Sequence, residues 1–206
     1  MKSLDKYTET LPEVGKLVLQ FARTNRATYH EDGTRPESDT DHTVMLSVCA
    51  CALAEALYKN TLDIGKVAQF SIVHDLVEAY AKDTDSFGIS QQEQEEKDKR
   101  EHDALIKIKA QFDTVFPWIG HTIEEYEKLD TKEARFVKTV DKCMSKITHI
   151  LNRGQYFKNK KMDKETMWKN YTSLVKKAEE KYASEFPEVL SIMNDLLKEA
   201  QTRAYA

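Results

Sequence analysis

Residues 64–82 read IGKVAQFSIVHDLVEAYAK, and the spacing of Val67, Phe70, Val73, Leu76, Val77 and Tyr80 is the three/four-residue repeat of a helix with one face turned to a core. His74 lies on that face among Val67, Phe70, Val77 and Ala81, with Asp75 beside it. A polar group buried on an apolar stripe costs free energy unless it finds a partner, so the stripe that predicts a helix over 64–82 also marks where chemistry is to be sought.

Helical periodicity recurs on both sides. Toward the N-terminus, Ser38 or Asp39 can cap a helix whose apolar side runs Met45, Leu46, Cys49, Leu53, Ala56 and Leu57 and which ends at Asn60–Asp63. Before it, residues 24–40, TNRATYHEDGTRPESDT, read as a loop, and its length makes it a candidate wall of a binding site. Residues 3–22 form a first helix, open to a kink at Pro12. Toward the C-terminus, DTDSFG at 83–88 reads as a turn, and the polar run QQEQEEKDKREHD, residues 91–103, as the solvated face of a helix that becomes amphipathic at Leu105, Ile106, Ile108 and Phe112. Pro117 starts a short segment with Trp118 and Ile119. Thr131 and Glu133 open a helix with Phe136, Val137, Val140, Met144, Ile147 and Ile150 on its buried face, stopped at Gly154. Asp163 to Phe186 and Pro187 to the end read as two further helices that pack rather than catalyse.

Composition agrees with an all-α domain spanning 1–206. Charged residues make up 32%, apolar residues 40%, and the chain holds only six glycines and four prolines, too few for a turn-rich β protein. A net charge of −4 offers no overall basic field for nucleic acid or membrane, which leaves small ligands as the expected partners. Cys49, Cys51 and Cys143 form no C-x-x-C pair and read as reduced, buried thiols. No apolar run approaches the ~20 residues of a membrane span, and MKSLDKYTETLPEVGK lacks the apolar centre of a signal peptide; a soluble, cytoplasmic protein is expected.

Two more intruders sit on apolar stripes. His42 stands 3, 4, 7 and 11 residues before Met45, Leu46, Cys49 and Leu53, while Asp141 follows Val137 by four and precedes Met144 by three. Together with His74 and Asp75 they offer two imidazoles and two carboxylates, a set that suits Mn, Fe, Co, Ni or Zn better than Ca. A hydrogen-bonded core histidine, or an Arg or Lys partner for Asp141, explains each residue better than a metal does when it is taken singly. His30, His102, His121 and His149 have no convergent acid at helical spacing and read as surface or structural.

The order of four elements is more specific. An early histidine in PESDTDHTVM (36–45), the pair His74-Asp75 in SIVHDLVEAYAKDTD (71–85), an aspartate beyond it, and a later aspartate in FVKTVDKCM (136–144) resemble the signature of the HD-domain phosphohydrolases, a helical metal-dependent superfamily. The likeness covers residues 25–145. It is greatest to the 5′-deoxynucleotidase branch, whose pattern is an Arg, then E-S-x-x-D/E-H, H-D-x-x-E-x-x-x-G-D and V-K-x-x-D.

The resemblance implies an HD-domain helical bundle with additional C-terminal helices, one domain whose site-bearing part is about 23–151 and whose extension is about 160–206. By position it implies His42, His74, Asp75 and Asp141 as ligands of one divalent transition metal, and Glu78 and Asp83 as acid/base groups, with Asp85 the rival to Asp83. Arg26 matches the phosphate-binding arginine, and Arg35 is the fallback. Lys82 stands where the pattern has Gly, and Ala27 where related nucleotidases carry Trp. Lys99, Arg100 and Glu101 are similar to a K-x-R-R-E-x-x-A helix, although they also read as surface charge. The implied activity is a 5′-nucleotidase releasing phosphate from (deoxy)nucleoside 5′-monophosphates, in a homodimer. The alternatives are a triphosphate or phosphodiester hydrolase on the same fold, or a non-catalytic helical signalling module.

Overall fold

The computed structural model of the chain describes residues 4–85 and 89–206, so Ser86, Phe87 and Gly88 of the expected DTDSFG turn lie outside the described residues. The longest apolar faces meet at α7 (Lys132–Leu151), which Thr131 caps by accepting the Ala134 N–H. Its Phe136, Val137, Val140 and Met144 are fully buried against α2 (Asp39–Tyr58), α3 (Ile64–Val73) and α10 (Pro187–Ala204). A second apolar cluster joins Leu17 and Phe21 of α1 (Asp5–Phe21) to Val73, Leu76 and Val77. Ala104, Ile108 and Phe112 of α5 (Gln91–Phe112) and Ile119 and Ile123 of α6 (Trp118–Lys128) complete it. The stretch from Val67 to Ala81 contributes to both clusters, so His74 and Asp75 fall at the seam between them. This is the all-α bundle expected. No helix among the described residues is long and apolar enough to cross a membrane.

The seam also breaks the helix expected over 64–82. Ser71, whose carbonyl in a continuous helix would accept the N–H of residue 75, instead accepts Nδ1 of His74 at 2.8 Å. Tighter i to i−3 bonds follow, from Leu76 N–H to Val73, Glu78 N–H to Asp75 and Ala79 N–H to Leu76, before the short α4 (Glu78–Ala81). Lys82 then leaves at φ +66° and ψ +148°, a region that glycine occupies freely and other residues rarely do.

Residues 24–40 are not a plain loop. They form an antiparallel hairpin, β1 (Asn25–Tyr29) and β2 (Pro36–Ser38), turned through Gly33 at φ +71°. Both strands are short and mostly half-buried, so neither shows the alternation that reveals a strand. Ser38 then caps α2, accepting the Asp41 N–H while Asp41 accepts the Ser38 N–H. The buried line of α2 runs His42, Leu46, Ala50 and Ala54, rotated from the one drawn through Leu57, which is 42% exposed.

α1 runs unbroken through Pro12, and the polar run 91–103 is helical and exposed except where Lys97 and Glu101 turn inward. α7 ends at Leu151, ahead of the expected stop, with Arg153 in the left-handed region at φ +54°; Gly154, at φ +69°, is instead the N-cap of α8 (Gln155–Asn159), a helix too short to carry a periodic signal. Asp163 caps α9 (Lys164–Tyr182). Cys143 is buried, whereas Cys49 and Cys51 are only half-buried; all three are free thiols.

Candidate metal and phosphate site

Three elements bring polar residues of the seam together beside a cavity of about 290 Å³ that His42 and Asp141 line. His42 arrives on the first turn of α2, His74 at the end of α3 and Asp141 from the middle of α7. Nε2 of His42 lies 3.0 Å from Asp141 Oδ1, and Nε2 of His74 lies 4.0 Å from the same oxygen and 3.0 Å from Asp75 Oδ2. The ligand atoms of His42, His74 and Asp141 are all within 4.8 Å of one another.

The outer nitrogens explain the aim of the inner ones. His74 Nδ1 must carry a proton because it meets the Ser71 carbonyl, and His42 Nδ1 lies 3.3 Å from Glu37 Oε1, so both Nε2 atoms are turned to carboxylates. His74 Nε2 is buried beside Asp75 yet makes no hydrogen bond, an orphaned nitrogen among anionic oxygens. Two nitrogens and carboxylate oxygens converging in this way fit a divalent cation. The cluster already draws in positive charge: burial and Arg26 push the His42 pKa down, yet hydrogen bonds to Asp141 and Glu37 prevail and lift it to about 9. Burial works to raise Asp141 and Asp75 as well, but His42 and His74 respectively hold them well below the usual carboxylate range.

A second group of acids lies alongside. Asp39, Glu78 and Asp83 bring carboxylate oxygens within 4.8 Å of one another, and Arg26 from β1 reaches in beside them. Its Nη1 is 3.1 Å from Asp75, 3.5 Å from Asp39 and 4.0 Å from Glu78. Lys97 of α5 closes the other side, 3.6 Å from Glu78 and 3.4 Å from Glu101. Burial, reinforced by Asp75, Asp83 and Asp39, raises the Glu78 pKa and favours its protonated form. Burial likewise raises Asp39 and Asp83.

The HD domain family profile matches residues 19–183, most of the chain and all of the site. The chain belongs to the HD-domain family. Among curated proteins it is 29% identical over 133 residues to 5′-deoxynucleotidase HDDC2 of Homo sapiens, covering 62% of this chain and 61% of that one. It is 28% identical over 137 residues to the Xenopus laevis protein of the same name, covering 66% and 65%. The chain thus spans less than two thirds of the length of these relatives. A solved structure from Magnetospirillum magnetotacticum MS-1, described as a predicted metal-dependent phosphohydrolase, shares the fold at a TM-score of 0.72 and 22% identity, over 95% of this chain and 97% of that one. The superfamily that the four motif elements resemble is the one the chain falls in, and the curated relatives carry the name of the same 5′-deoxynucleotidase branch.

Within this HD domain, the structure brings Arg26, His42, His74, Asp75, Glu78, Asp83 and Asp141 together. Arg35 stands apart: its side chain is 61% exposed, bonds His30 Nδ1 and does not line the cavity. Asp85 lines the outer cavity, where it accepts from the Tyr156 hydroxyl and pairs with Lys160. Of the charged α5 residues, Arg100 stays at the surface, donating to Thr84, whereas Lys97 and Glu101 turn inward. Lys97 went unread because a wholly polar run has no apolar stripe against which an inward residue stands out. Asp39 is fully buried and is not the cap; Ser38 is. Of the two expected C-terminal helices, α9 contributes Tyr171 to the cavity lining, and α8 before them contributes Tyr156.

Proposed function

We propose that this chain is a metal-dependent phosphohydrolase acting on nucleoside 5′-monophosphates, with deoxynucleotides the leading substrates. The convergence of His42, His74, Asp75 and Asp141 next to a half-buried arginine is the observation that carries the reading. Those four residues would hold one divalent ion of the Mn, Fe, Co, Ni or Zn type, which would supply Lewis acidity toward a phosphoryl oxygen and water.

The rest falls to the chain's own groups. The Arg26 guanidinium suits two phosphate oxygens at once and exchanges its contacts with Asp75 and Asp39 for the incoming anion. Glu78, enclosed and surrounded by acids, is the proton donor to the departing 5′ oxygen; Asp83, nearer the open cavity, orients the water and takes up its proton. Lys97 keeps Glu78 aimed. The alternative reading is triphosphate or phosphodiester hydrolysis on the same fold, which a substrate panel separates. A homodimer belongs to the same proposal, to be tested by sedimentation for twice the mass of one chain.

Two substitutions test the roles. Asp75→Ala should abolish phosphate release and lower bound metal, whereas Glu78→Gln should lower turnover by about 10²-fold or more with metal retained. Equal metal loss in both variants removes Glu78 from the proton-transfer role. Turnover that survives exhaustive chelation excludes a metal-dependent reaction.

A further inference from the structure

α1 is apolar over more of its circumference than the core uses. Its inner line, Tyr7, Val14, Leu17 and Phe21, packs on Phe116 and on the cluster that holds Val73 and Val77. The apolar arc nevertheless runs on from Leu17 round to Leu19, roughly 200° at 100° per residue, where about half of that serves a helix with one buried face. On the uncovered part Leu4, Leu11, Val18 and Leu19 are 67%, 58%, 45% and 59% exposed. The charged residues Asp5, Lys6, Glu9, Glu13 and Lys16 are confined to the remaining arc. Acids outnumber bases there, which is not the basic face of a helix that lies on a lipid surface.

The open face is patterned. Leu4, Leu11 and Val18 recur at seven-residue spacing, and four residues after each stands a smaller one, Thr8, Gly15 and Ala22. Gly15 answers no packing demand of its own chain: among the described residues, a Cβ placed there would find nothing within 4 Å. Glycine is also the poorest helix former after proline, so the gap it leaves on an exposed apolar face makes room for something from outside.

Turned end for end about a two-fold axis, the face complements itself. Leu4 meets Ala22 of a second copy, Thr8 meets Val18, and Leu11 meets Gly15, a large residue against a smaller one at every step. The same register sets Asp5, at the edge of the face near one end, beside Arg23 of the second copy, just past the other end, and the two-fold axis repeats that pair. A parallel pairing would instead set Leu11 on Leu11 and Asp5 beside Asp5.

We propose that α1 is the surface of the homodimer, pairing antiparallel with α1 of a second copy of this chain through Leu4, Leu11, Gly15 and Val18. The proposal rests on the homodimer put forward above and not on the phosphohydrolase chemistry. One pair of helices is small against a standard interface, so the dimer should exchange with monomer at a dissociation constant on the order of micromolar.

The test is sedimentation of the full chain over a range of about 1–200 µM. Wild type should pass from one chain mass to two. Gly15→Leu should weaken association by tenfold or more, although leucine, the better helix former in open space, should leave the melting temperature of the dilute monomer unchanged or raised. Leu11→Glu should stay monomeric. Asp5→Arg and Arg23→Asp should each weaken association by threefold or more, and the double variant should recover it.

A wild type that stays monomeric at the top of that range overturns both the dimer and its surface; one that does so while partitioning onto anionic vesicles gives the face to lipid instead. A dimer undiminished in Gly15→Leu and Leu11→Glu overturns α1 as its surface and leaves the dimer standing. Should Leu11→Glu fail to fold, Gly15→Leu alone decides. A double charge variant as weak as either single one overturns the antiparallel register.

Discussion

Lys82 keeps the backbone that a glycine would adopt, at φ +66°. Holding a side chain there costs on the order of 1–3 kcal/mol. Lys82→Gly should therefore stabilise the fold by about 1 kcal/mol once glycine's larger unfolded-state entropy is subtracted, read as a raised urea midpoint at unchanged slope. His149 makes a pH-dependent contribution. Burial, with Lys146 adding to it, lowers its pKa from the usual 6.5 to about 3, so the unfolded chain binds a proton that the folded chain refuses. Its contribution is present above pH 6.5 and is lost as pH falls toward 3, at up to about 1.4 kcal/mol per pH unit. His149→Gln, which keeps an acceptor for Tyr171, should flatten that acid limb in denaturant titrations between pH 4 and 6.5.

At the level of elements, periodicity revealed the helices because their apolar faces are long: α2, α5, α7, α9 and α10 each carry a buried face across several turns. The polar intruders His42, His74 and Asp141 were visible for the same reason, as exceptions on those faces. What stayed hidden was set by single hydrogen bonds or tertiary contact. The break at His74 depends on one imidazole taking one carbonyl, the hairpin strands are too short to alternate, and α8 exists because Tyr156 and Phe157 find a core after Gly154. That last junction is tight. A Cβ on Gly154 would lie 2.3 Å from the Ala204 Cβ and 2.9 Å from its Cα, at a φ where a side chain is strained in any case. Gly154→Ala should cost about 2–4 kcal/mol, seen as a lowered melting temperature, against about 1 kcal/mol for Gly33→Ala, whose neighbour is the movable end of Gln155.

Across the whole molecule, the proposed ligand groups come from α2, the end of α3 and α7, and the residues after His74 belong to a second apolar cluster. An ion bound by all of them ties the clusters together and stabilises the native state by mass action. Adding Mn²⁺ or Co²⁺ to metal-free protein should raise the melting temperature by several degrees, and the rise should vanish in Asp141→Asn; an equal rise in that variant would place the ion elsewhere.

The tie between His74 and Ser71 has a consequence for anyone wishing to retune the centre. One contact both stops a helix and points an imidazole, so the choice of donor atom and the route of the chain are a single decision. Exchanging His74 for a cysteine or an aspartate would hand Ser71's carbonyl back to the backbone, and the peptide from Asp75 to Glu78 would have to find a new course before any new chemistry could begin.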